Sequence, residues 1–561
     1  MLIRIQSKFF FLLIVFMSAG LNVFAQQTLL SKGNKEYEMF EYIDAQKTYL
    51  EVVKTGYKSA ELFEKLGNTY YFNGLYEEAS KWYEKLIVNY GGSVESEYYY
   101  RYAQTLKSVG NYKEADLYMR TFAKVSPEDS RAELYLGKLG ELEKLKRSQK
   151  KYSVKNLEMN SPYRDFGTSY FGNYVIFSSS RGNPDKDQDN LDEWGKEPFL
   201  DMYMATRDTV SSELYEMKKW GFDLGLNEST PVFTKDFKTV YFTGNAMEDH
   251  KFRRKKKGGI KTNQLKIYRS LINEKGEWSK PEELPFCSDE YATAHPSLNK
   301  DGTKMYFSSD MPGGKGESDI YEVKVYSNGT FGVPINLGDI INTEGRETFP
   351  FVTNEDVMYF SSDGHVGFGG LDVFVTRIDG LEKGRDSIVN LGETVNSKED
   401  DFGFVIQEGR KKGYFTSNRI EGKGKDDIYS FEELVLKIGD DIAEKLDLNR
   451  IYFDLDKSFI RPDASVVLDE IVETMKAYPQ MEIDIRSHTD SRATKYYNLK
   501  LSDRRAYSTK RYLIENGINS ERLTSHGYGE IELVNRCSDG VKCSEEEHQL
   551  NRRSEFIITK L

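Results

Sequence analysis

Apolar positions between residues 28 and 147 recur at helical spacing, and the recurrence itself repeats. Setting Gly33, Gly67 and Ala103 in register also aligns Tyr42 with Tyr76 and Tyr112, Ala45 with Ala79 and Ala115, and Tyr49 with Tyr83 and Met119, at steps of 34 and 36 residues. Small residues at fixed points let paired helices approach closely, and the aromatics fill the gap between them. The pattern predicts three helix pairs over 26–147, the last stopping at Pro127, stacked as an all-α solenoid with a concave binding surface.

From about 150 to 435 the pattern shortens to β-rich phrases such as Met305-Tyr306-Phe307-Ser308-Ser309, whose central Phe recurs at 177, 242, 307, 360 and 415. A second phrase follows three of them: Gly316-x2-Asp319, Gly369-x2-Asp372 and Gly424-x2-Asp427, with Asp201-Met202-Tyr203 as a looser copy. The glycine is expected to supply a positive φ, and the Asp side chain to bond the turn backbone. Units of about four short strands at this spacing predict an all-β propeller. Five copies are visible, and a sixth blade shared between residues near 151 and 432 stays open, so the expectation is five or six blades.

The first two units carry longer connections, 26 residues from the Phe to the next strand aromatic against 14 in the last three. One insertion is acidic (Asp185, Asp187, Asp189, Asp192, Glu193, Glu197) and the other basic (Lys251, Arg253, Arg254, Lys255, Lys256, Lys257). They read either as a paired docking rim or as two solvated loops, since surface ion pairs contribute only ~0–1 kcal/mol. Asp185, Asp187, Asp189 and Glu193 also match the first half of a calcium loop, but position 12 is Lys196 where a chelating acid belongs. Calcium binding and a plain charged turn both stand on the sequence; no other cofactor is indicated.

From about 440 to 561 strands alternate with amphipathic helices. Ile451–Asp454 reads as a strand, Pro462 opens a helix continuing over 464–478, and 481–485 alternates as a half-buried strand ending in the loop Ser487-His488-Thr489-Asp490. A second helix runs over 498–516 to the stop at Gly517, and a last strand covers 554–558. The order predicts an α+β domain, helices packed on a small mixed sheet.

Residues 1–25 read as a secretory signal: Arg4 and Lys8, the apolar run Phe9–Met17, and Val23-Phe24-Ala25 before a cut ahead of Gln26. No cysteine follows the cut, and no later stretch is apolar enough to span a bilayer, so the mature chain is expected without a lipid anchor or a transmembrane segment. Composition then bounds the partners. Aromatics at 13% of 561 residues supply ample core. The net charge of −12, or −14 once the leader's two basic residues are gone (76 basic against 90 acidic), disfavours nucleic acid. In an oxidising compartment Cys537 and Cys543, six apart, can close a small disulfide ring or remain two thiols; Cys287 reads as a small buried hydrophobe.

Three resemblances follow from these motifs. The helical copies, Phe63-x2-Leu66-Gly67-x2-Tyr70 with Ala79 and Tyr83 above all, resemble tetratricopeptide repeats, and the strand phrases resemble the WD-like repeats of TolB-type propellers. Ser487-His488-Thr489-Asp490, Tyr497-Asn498-x2-Leu501-Ser502-x2-Arg505-Ala506, Gly527-Tyr528-Gly529-Glu530 and Asn551-Arg552-Arg553 together resemble the OmpA-like peptidoglycan-binding domain. That likeness implies a receptor for the diaminopimelate of a wall stem peptide, whose ammonium and carboxylate suit Asp490 as acceptor and Arg505 as forked donor. Asn498, Thr489, Asp454 and Arg553 match supporting positions; Ala493 departs where relatives have Gly, which narrows the loop's backbone choices. His488 reads as loop packing, having no second His or Cys at ligand spacing.

The domain order (signal 1–25, helical repeats 26–147, propeller 150–435, OmpA-like domain 440–561) resembles multidomain periplasmic proteins of the Bacteroidetes, some associated with gliding or type IX secretion machinery. It implies a non-enzymatic periplasmic scaffold at the inner face of the outer membrane, holding peptidoglycan with one end and envelope proteins with the rest. The competing readings are a propeller-gated hydrolase, for which no Gly-x-Ser-x-Gly, His-Glu-x-x-His or phosphate loop is present, and a ligand-sensing propeller tethered to the wall.

Overall fold

Glycine facing tyrosine builds the helical repeat. Gly33 lies in helical residues 26–38 (α1) opposite Tyr49 of α2 (Tyr42–Lys54), and Gly67 of α3 (Ala60–Tyr71) lies opposite Tyr83 of α4 (Tyr76–Tyr90). A Cβ on Gly33 would come within 2.7 Å of the Tyr49 ring, and one on Gly67 within 2.5 Å of the Tyr83 ring. Each buried hydroxyl donates to the residue after the glycine, Tyr49 to Asn34 Oδ1 at 2.8 Å and Tyr83 to Asn68 Oδ1 at 2.7 Å. The third pair, α5 (Ser96–Ser108) and α6 (Tyr112–Val125), sets Ala103 against Met119, which has no hydroxyl, so Gln104 is free to turn elsewhere. Helices do not stop at Pro127: Asp129 caps the next one, α7 (Ser130–Gly137), through Arg131 N at 2.9 Å, and the short α8 (Glu141–Lys146) comes after it.

The computed structural model describes residues 26–146, 151–182, 191–222, 224–245, 263–383, 387–407, 409, 411–446 and 448–561. The leader, Asp185, Asp187, Asp189 and the basic run 251–257 fall outside the described residues. No helix among the described residues is long and apolar enough to cross a membrane. The chain forms two units, one of residues up to Leu142 with Val154–Phe431, the other of Glu143–Ser153 with Glu432–Leu561. Helical and strand repeats, separate domains by sequence, therefore share one unit.

After β1 (Tyr152–Asn156), the strand repeats form successive antiparallel sheets. They are β2–β5 (Asp165–Phe171, Tyr174–Ser179, Asp201–Arg207, Leu214–Trp220), β6–β9 (Glu228–Phe233, Thr239–Gly244, Lys266–Leu271, Glu282–Glu283), β10–β13 (Thr293–Leu298, Lys304–Ser309, Asp319–Lys324, Ile335–Asn336) and β14–β17 (Glu347–Val352, Val357–Ser362, Asp372–Arg377, Val389–Asn390). A fifth sheet, β18–β20 (Asp401–Gln407, Lys412–Ser417, Asp427–Glu433), takes β1 as its fourth strand. First strands touch in cyclic order, β2 on β6, β6 on β10, β10 on β14, β14 on β18 and β18 back on β2, so the sheets close a ring.

The Asp of the repeated phrase does bond its turn: Asp319 accepts from Gly316 N at 3.1 Å, Asp372 from Phe368 N at 2.8 Å and Asp427 from Gly424 N at 3.0 Å. The glycine's role differs from the expected positive φ, since Gly316, Gly369 and Gly424 lie outside the left-handed region. A Cβ there would sit 2.1–2.2 Å from a carbonyl oxygen of the next sheet's approach loop, that of Gly345, Lys398 or Tyr163 respectively. These glycines are sites of close approach between sheets, and the last contact returns to the start of the ring.

The helices do not present a free concave face. Tyr76 Oη donates to Asp400 Oδ1 at 2.6 Å, Arg101 pairs with Glu317 at 2.6 Å, Gln104 Nε2 donates to Asp363 O at 3.0 Å, and Ser130 N donates to Glu344 Oε2 at 3.0 Å. Lys107 is buried against Asp372 and Asp363. The far end of the acidic insertion docks too: Trp194 packs edge-on against Tyr42 with ring centres 4.6 Å apart, and Lys196 pairs with Asp44 at 3.0 Å. Of the calcium candidates only Glu193 is described, and its carboxylate is paired with Lys196.

In the second unit the sheet order is β21 (Ile451–Tyr452), β24 (Arg553–Lys560), β22 (Glu482–His488), β23 (Leu523–Gly529). β22 is parallel to β23 and antiparallel to β24. Helices α10 (Pro462–Ala477) and α11 (Lys495–Glu515) pack on it through Leu468, Ile471, Met475, Ala506 and Leu513. Short helices α9 (Ile442–Lys445) and α12 (Glu545–Gln549) complete the unit; neither they nor β23 are predicted from the sequence.

Gly369→Ala is expected to destabilise the full chain by at least about 2 kcal/mol in urea unfolding, because the methyl collides with backbone that cannot step aside. Gly137→Ala, whose Cβ meets nothing within 4 Å, should be neutral or gain about 0.5 kcal/mol.

Candidate functional site

The loop 489–494 leaves the C-terminal end of β22, the strand between β24 and β23, and Thr494 ends it by capping α11 through Tyr497 N at 3.2 Å. Burial makes the loop's polar groups matter. Asp490 is 5% exposed, and its carboxylate accepts from Arg492 Nη2 at 2.7 Å and Arg552 Nη1 at 2.9 Å. Burial pushes the Asp490 carboxyl up, but the bonds from Arg492 and Arg552 outweigh it and hold the group below the usual carboxylate range.

Arg505 is 0% exposed and makes no hydrogen bond to Asp490. Its fork donates to three backbone carbonyls: Lys457 O at 2.8 Å, His488 O at 2.9 Å and Asp454 O at 3.0 Å. It thus ties the segment after β21 to the end of β22. Burial, with the Arg552 charge next, pulls its pKa down to about 10, so it stays charged at neutral pH. Around Asp490 stand the guanidiniums of Arg492, Arg505 and Arg552 against the carboxylates of Asp490 and Glu545, which pairs with Arg492 at 2.7 Å and Arg552 at 2.8 Å. The cluster carries a positive excess.

The supporting positions divide. The Thr489 amide donates to Gly529 O at 2.8 Å, while its buried hydroxyl has no partner among the described residues. Asn498 Nδ2 donates to Glu530 and, at 3.3 Å, to Ala493 O. Ala493 lies outside the left-handed region, so its Cβ is accommodated. Asp454 contributes its carbonyl to Arg505, and its exposed side chain pairs with Arg461 at 3.2 Å.

Arg553 does not join the cluster: it pairs with Glu555 at 2.6 Å and donates to Glu532 O at 3.0 Å. The arginine that does is its neighbour Arg552, 3% exposed, because successive residues entering β24 face opposite ways. That alternation was the signal available in the sequence.

Cys537 and Cys543 are disulfide-bonded, Cα atoms 5.8 Å apart, and Ser491 Oγ donates to Cys537 O at 2.6 Å, so the ring buttresses the loop. His488, Glu532 and Glu555 place potential ligand atoms within 4.8 Å of one another, but Arg553 already occupies the Glu555 carboxylate. His488 packs on Tyr528, ring centres 5.5 Å apart. Cys287 is half-buried and accepts from Thr293 Oγ1 at 3.0 Å.

Residues 452–546 match the family model described as OmpA family. The chain is 36% identical over 110 residues to the peptidoglycan-associated lipoprotein of Rhizobium meliloti (strain 1021), covering 20% of this chain and 60% of that protein. It is 34% identical over 129 residues to the peptidoglycan-associated lipoprotein of Brucella melitensis biotype 1, covering 23% and 68%. The chain thus spans about two thirds or less of these relatives' own length. The crystal structure of the peptidoglycan-associated lipoprotein from Burkholderia pseudomallei is 26% identical, covers 20% of this chain and 92% of that one, and gives a TM-score of 0.19.

Folding lowers the Asp490 pKa, so the contribution of its pairs is complete above the unfolded value of about 3.9 and is lost as pH falls through the folded value. Asp490→Asn should cost about 2–3 kcal/mol at pH 7, leaving Arg552 buried against a neutral amide. In acid titrations followed by thermal unfolding, this variant should lose less stability below about pH 4 than the parent.

Proposed function

The chain belongs to the OmpA family through its C-terminal unit, and on that premise we propose that it is a non-enzymatic scaffold of the bacterial periplasm that grips peptidoglycan at Asp490. The observation that carries this reading is a buried carboxylate held ionised between guanidiniums, in a cluster with net positive charge and an unanswered Thr489 hydroxyl beside it. The curated relatives are named as peptidoglycan-associated lipoproteins.

The amino-acid head of a diaminopimelate stem peptide fits that chemistry. Its ammonium replaces Arg492, the more exposed partner of Asp490, at 32% against 3% for Arg552. Its carboxylate meets the positive excess of Arg505 and Arg552. Arg505 positions the loop as well as adding charge, since its fork fixes the backbone of His488 and Asp454.

For the rest of the chain we read the closed ring of sheets as a five-bladed propeller completed by β1, and the helix pairs as a tetratricopeptide-like solenoid. The ring order of the inner strands and the glycine–tyrosine register support this. Since the solenoid face bonds the ring, envelope proteins, including secretion or gliding machinery, would dock on the remaining surface. The location proposed is the inner face of the outer membrane.

Purified sacculi should sediment the parent chain, and soluble diaminopimelate should release it. Arg552→Ala and the double variant Asp490→Ala/Arg505→Ala should stay in the supernatant, whereas Arg492→Ala should sediment at least as well as the parent. Sedimentation of the folded double variant at the parental level, or indifference to diaminopimelate, counts against the reading.

A further inference from the structure

Where the inner strands of the ring converge, each breaks register once with its neighbour: between Phe166 and Ser169, Ser229 and Val232, Ala294 and Ser297, Thr348 and Phe351, and Phe402 and Val405. One residue in every break has a left-handed backbone: Gly167 (φ 66°), Thr230 (44°), His295 (57°), Phe349 (48°) and Gly403 (62°). Glycine tolerates this, but for a β-branched residue, a histidine and a phenylalanine it is a disfavoured conformation that only the surroundings can hold.

The residues at and just after the breaks line a recess of about 70 Å³ that opens to solvent. Pro231, Pro296 and Pro350 follow three of the left-handed residues, and no Asp, Glu, Lys or Arg lines it. His295 stacks on Phe349 with ring centres 3.7 Å apart. The Thr230 hydroxyl donates to Thr243 Oγ1 at 2.7 Å, so what it offers His295 Nδ1, 3.3 Å away, is a lone pair. Nδ1 therefore carries the ring proton and Nε2 is an acceptor, with no partner among the described residues. Burial keeps the imidazole neutral, its pKa pushed down to about 3. The buried Thr168 hydroxyl, also in the lining, has no partner among the described residues either.

We infer that this recess is a binding site for an uncharged, hydroxylated ring of the sugar class. Proline and aromatic walls offer apolar faces to the ring, and His295 Nε2 accepts from one of its hydroxyls. A charged ligand would leave water for a site with no countercharge, which selects against it. The inference concerns the sheet ring alone and does not rest on wall binding.

The test is isothermal titration, with ligand-observed NMR, of the full chain against N-acetylglucosamine and glucose, glucose 6-phosphate serving as the charged counterpart. Expected is saturable binding of a neutral sugar with Kd on the order of 1 mM and at least about tenfold weaker binding of the phosphate. His295→Ala should weaken the sugar about tenfold, His295→Gln, which keeps an acceptor, should weaken it less, and Ser169→Trp, which crowds the recess, should abolish binding. Asp490→Asn should leave sugar binding unchanged, which separates this site from the wall site. The inference is overturned if neither sugar binds, if glucose 6-phosphate binds as well, or if His295→Ala, folded by circular dichroism, binds like the parent.

Discussion

Arg505 turns its guanidinium onto three carbonyl oxygens, and the C-terminal site takes its shape from that choice. A buried guanidinium without partners would be prohibitive, and one paired with a single carboxylate would hold two side chains but no backbone. Bonded to Lys457, His488 and Asp454 carbonyls, it instead fixes the backbone after β21 against the end of β22. The positive charge is then not neutralised locally. Asp490 draws on Arg492 and Arg552, Glu545 draws on the same two, and the sum stays positive. A cluster of this kind satisfies its own buried groups and keeps a positive charge in excess. A direct Asp490–Arg505 bridge would cancel it.

The first unit follows a different constraint, close approach. Gly33 and Gly67 admit a tyrosine ring between paired helices, and Gly316, Gly369 and Gly424 admit a carbonyl between successive sheets. Each sets register by the absence of a Cβ, and in the helix pairs a tyrosine hydroxyl bonded to Asn34 or Asn68 adds to it. The two systems meet at Gln104. In the earlier copies its equivalents, Asn34 and Asn68, hold a tyrosine hydroxyl; with Met119 in place of tyrosine, Gln104 reaches the carbonyl of Asp363 on the ring. Loss of one repeated feature thus adds a bond to those that Tyr76, Arg101 and Ser130 make between helices and sheets.

Legibility in the sequence tracked how local the physics was. Helix α10, opened by Pro462, and strand β22 lie within a few residues of their sequence assignments because periodicity and caps are local signals. The glycine–tyrosine pairing could be read because two copies repeat it. What failed needed the third dimension. Gly369 looks like a turn glycine until Lys398 O stands 2.1 Å from its missing Cβ. Arg505 looks like a ligand fork until three carbonyls surround it. Arg553 matches a supporting position by motif, yet it is Arg552 that bonds Asp490 while Arg553 pairs with Glu555. Strand β23 hides because Thr524 to Gly529 carries few apolar residues, and its place comes from β22 beside it.

Residual hydrogen-bonding capacity distinguishes a binding site from a merely polar interior. Buried hydroxyls in this chain commonly answer a neighbour, as Thr343 and Ser362 do on Glu347 at 2.8 and 2.6 Å. Thr489 and Thr168 do not, nor do Ser361 and Thr416 among the described residues, but the first two stand in places shaped by something costly. Beside Thr489 it is a cluster of buried charges; near Thr168 it is a set of left-handed residues that include three non-glycines. Folding alone gives no reason to combine an unanswered donor with strain or with buried charge, since either could be relieved by a smaller apolar residue. Both together are what a preorganised receptor requires, because groups already desolvated and fixed need no further ordering when a ligand arrives. The two places so marked differ in character, one lined by charged groups and the other by neutral ones, and they lie in separate units.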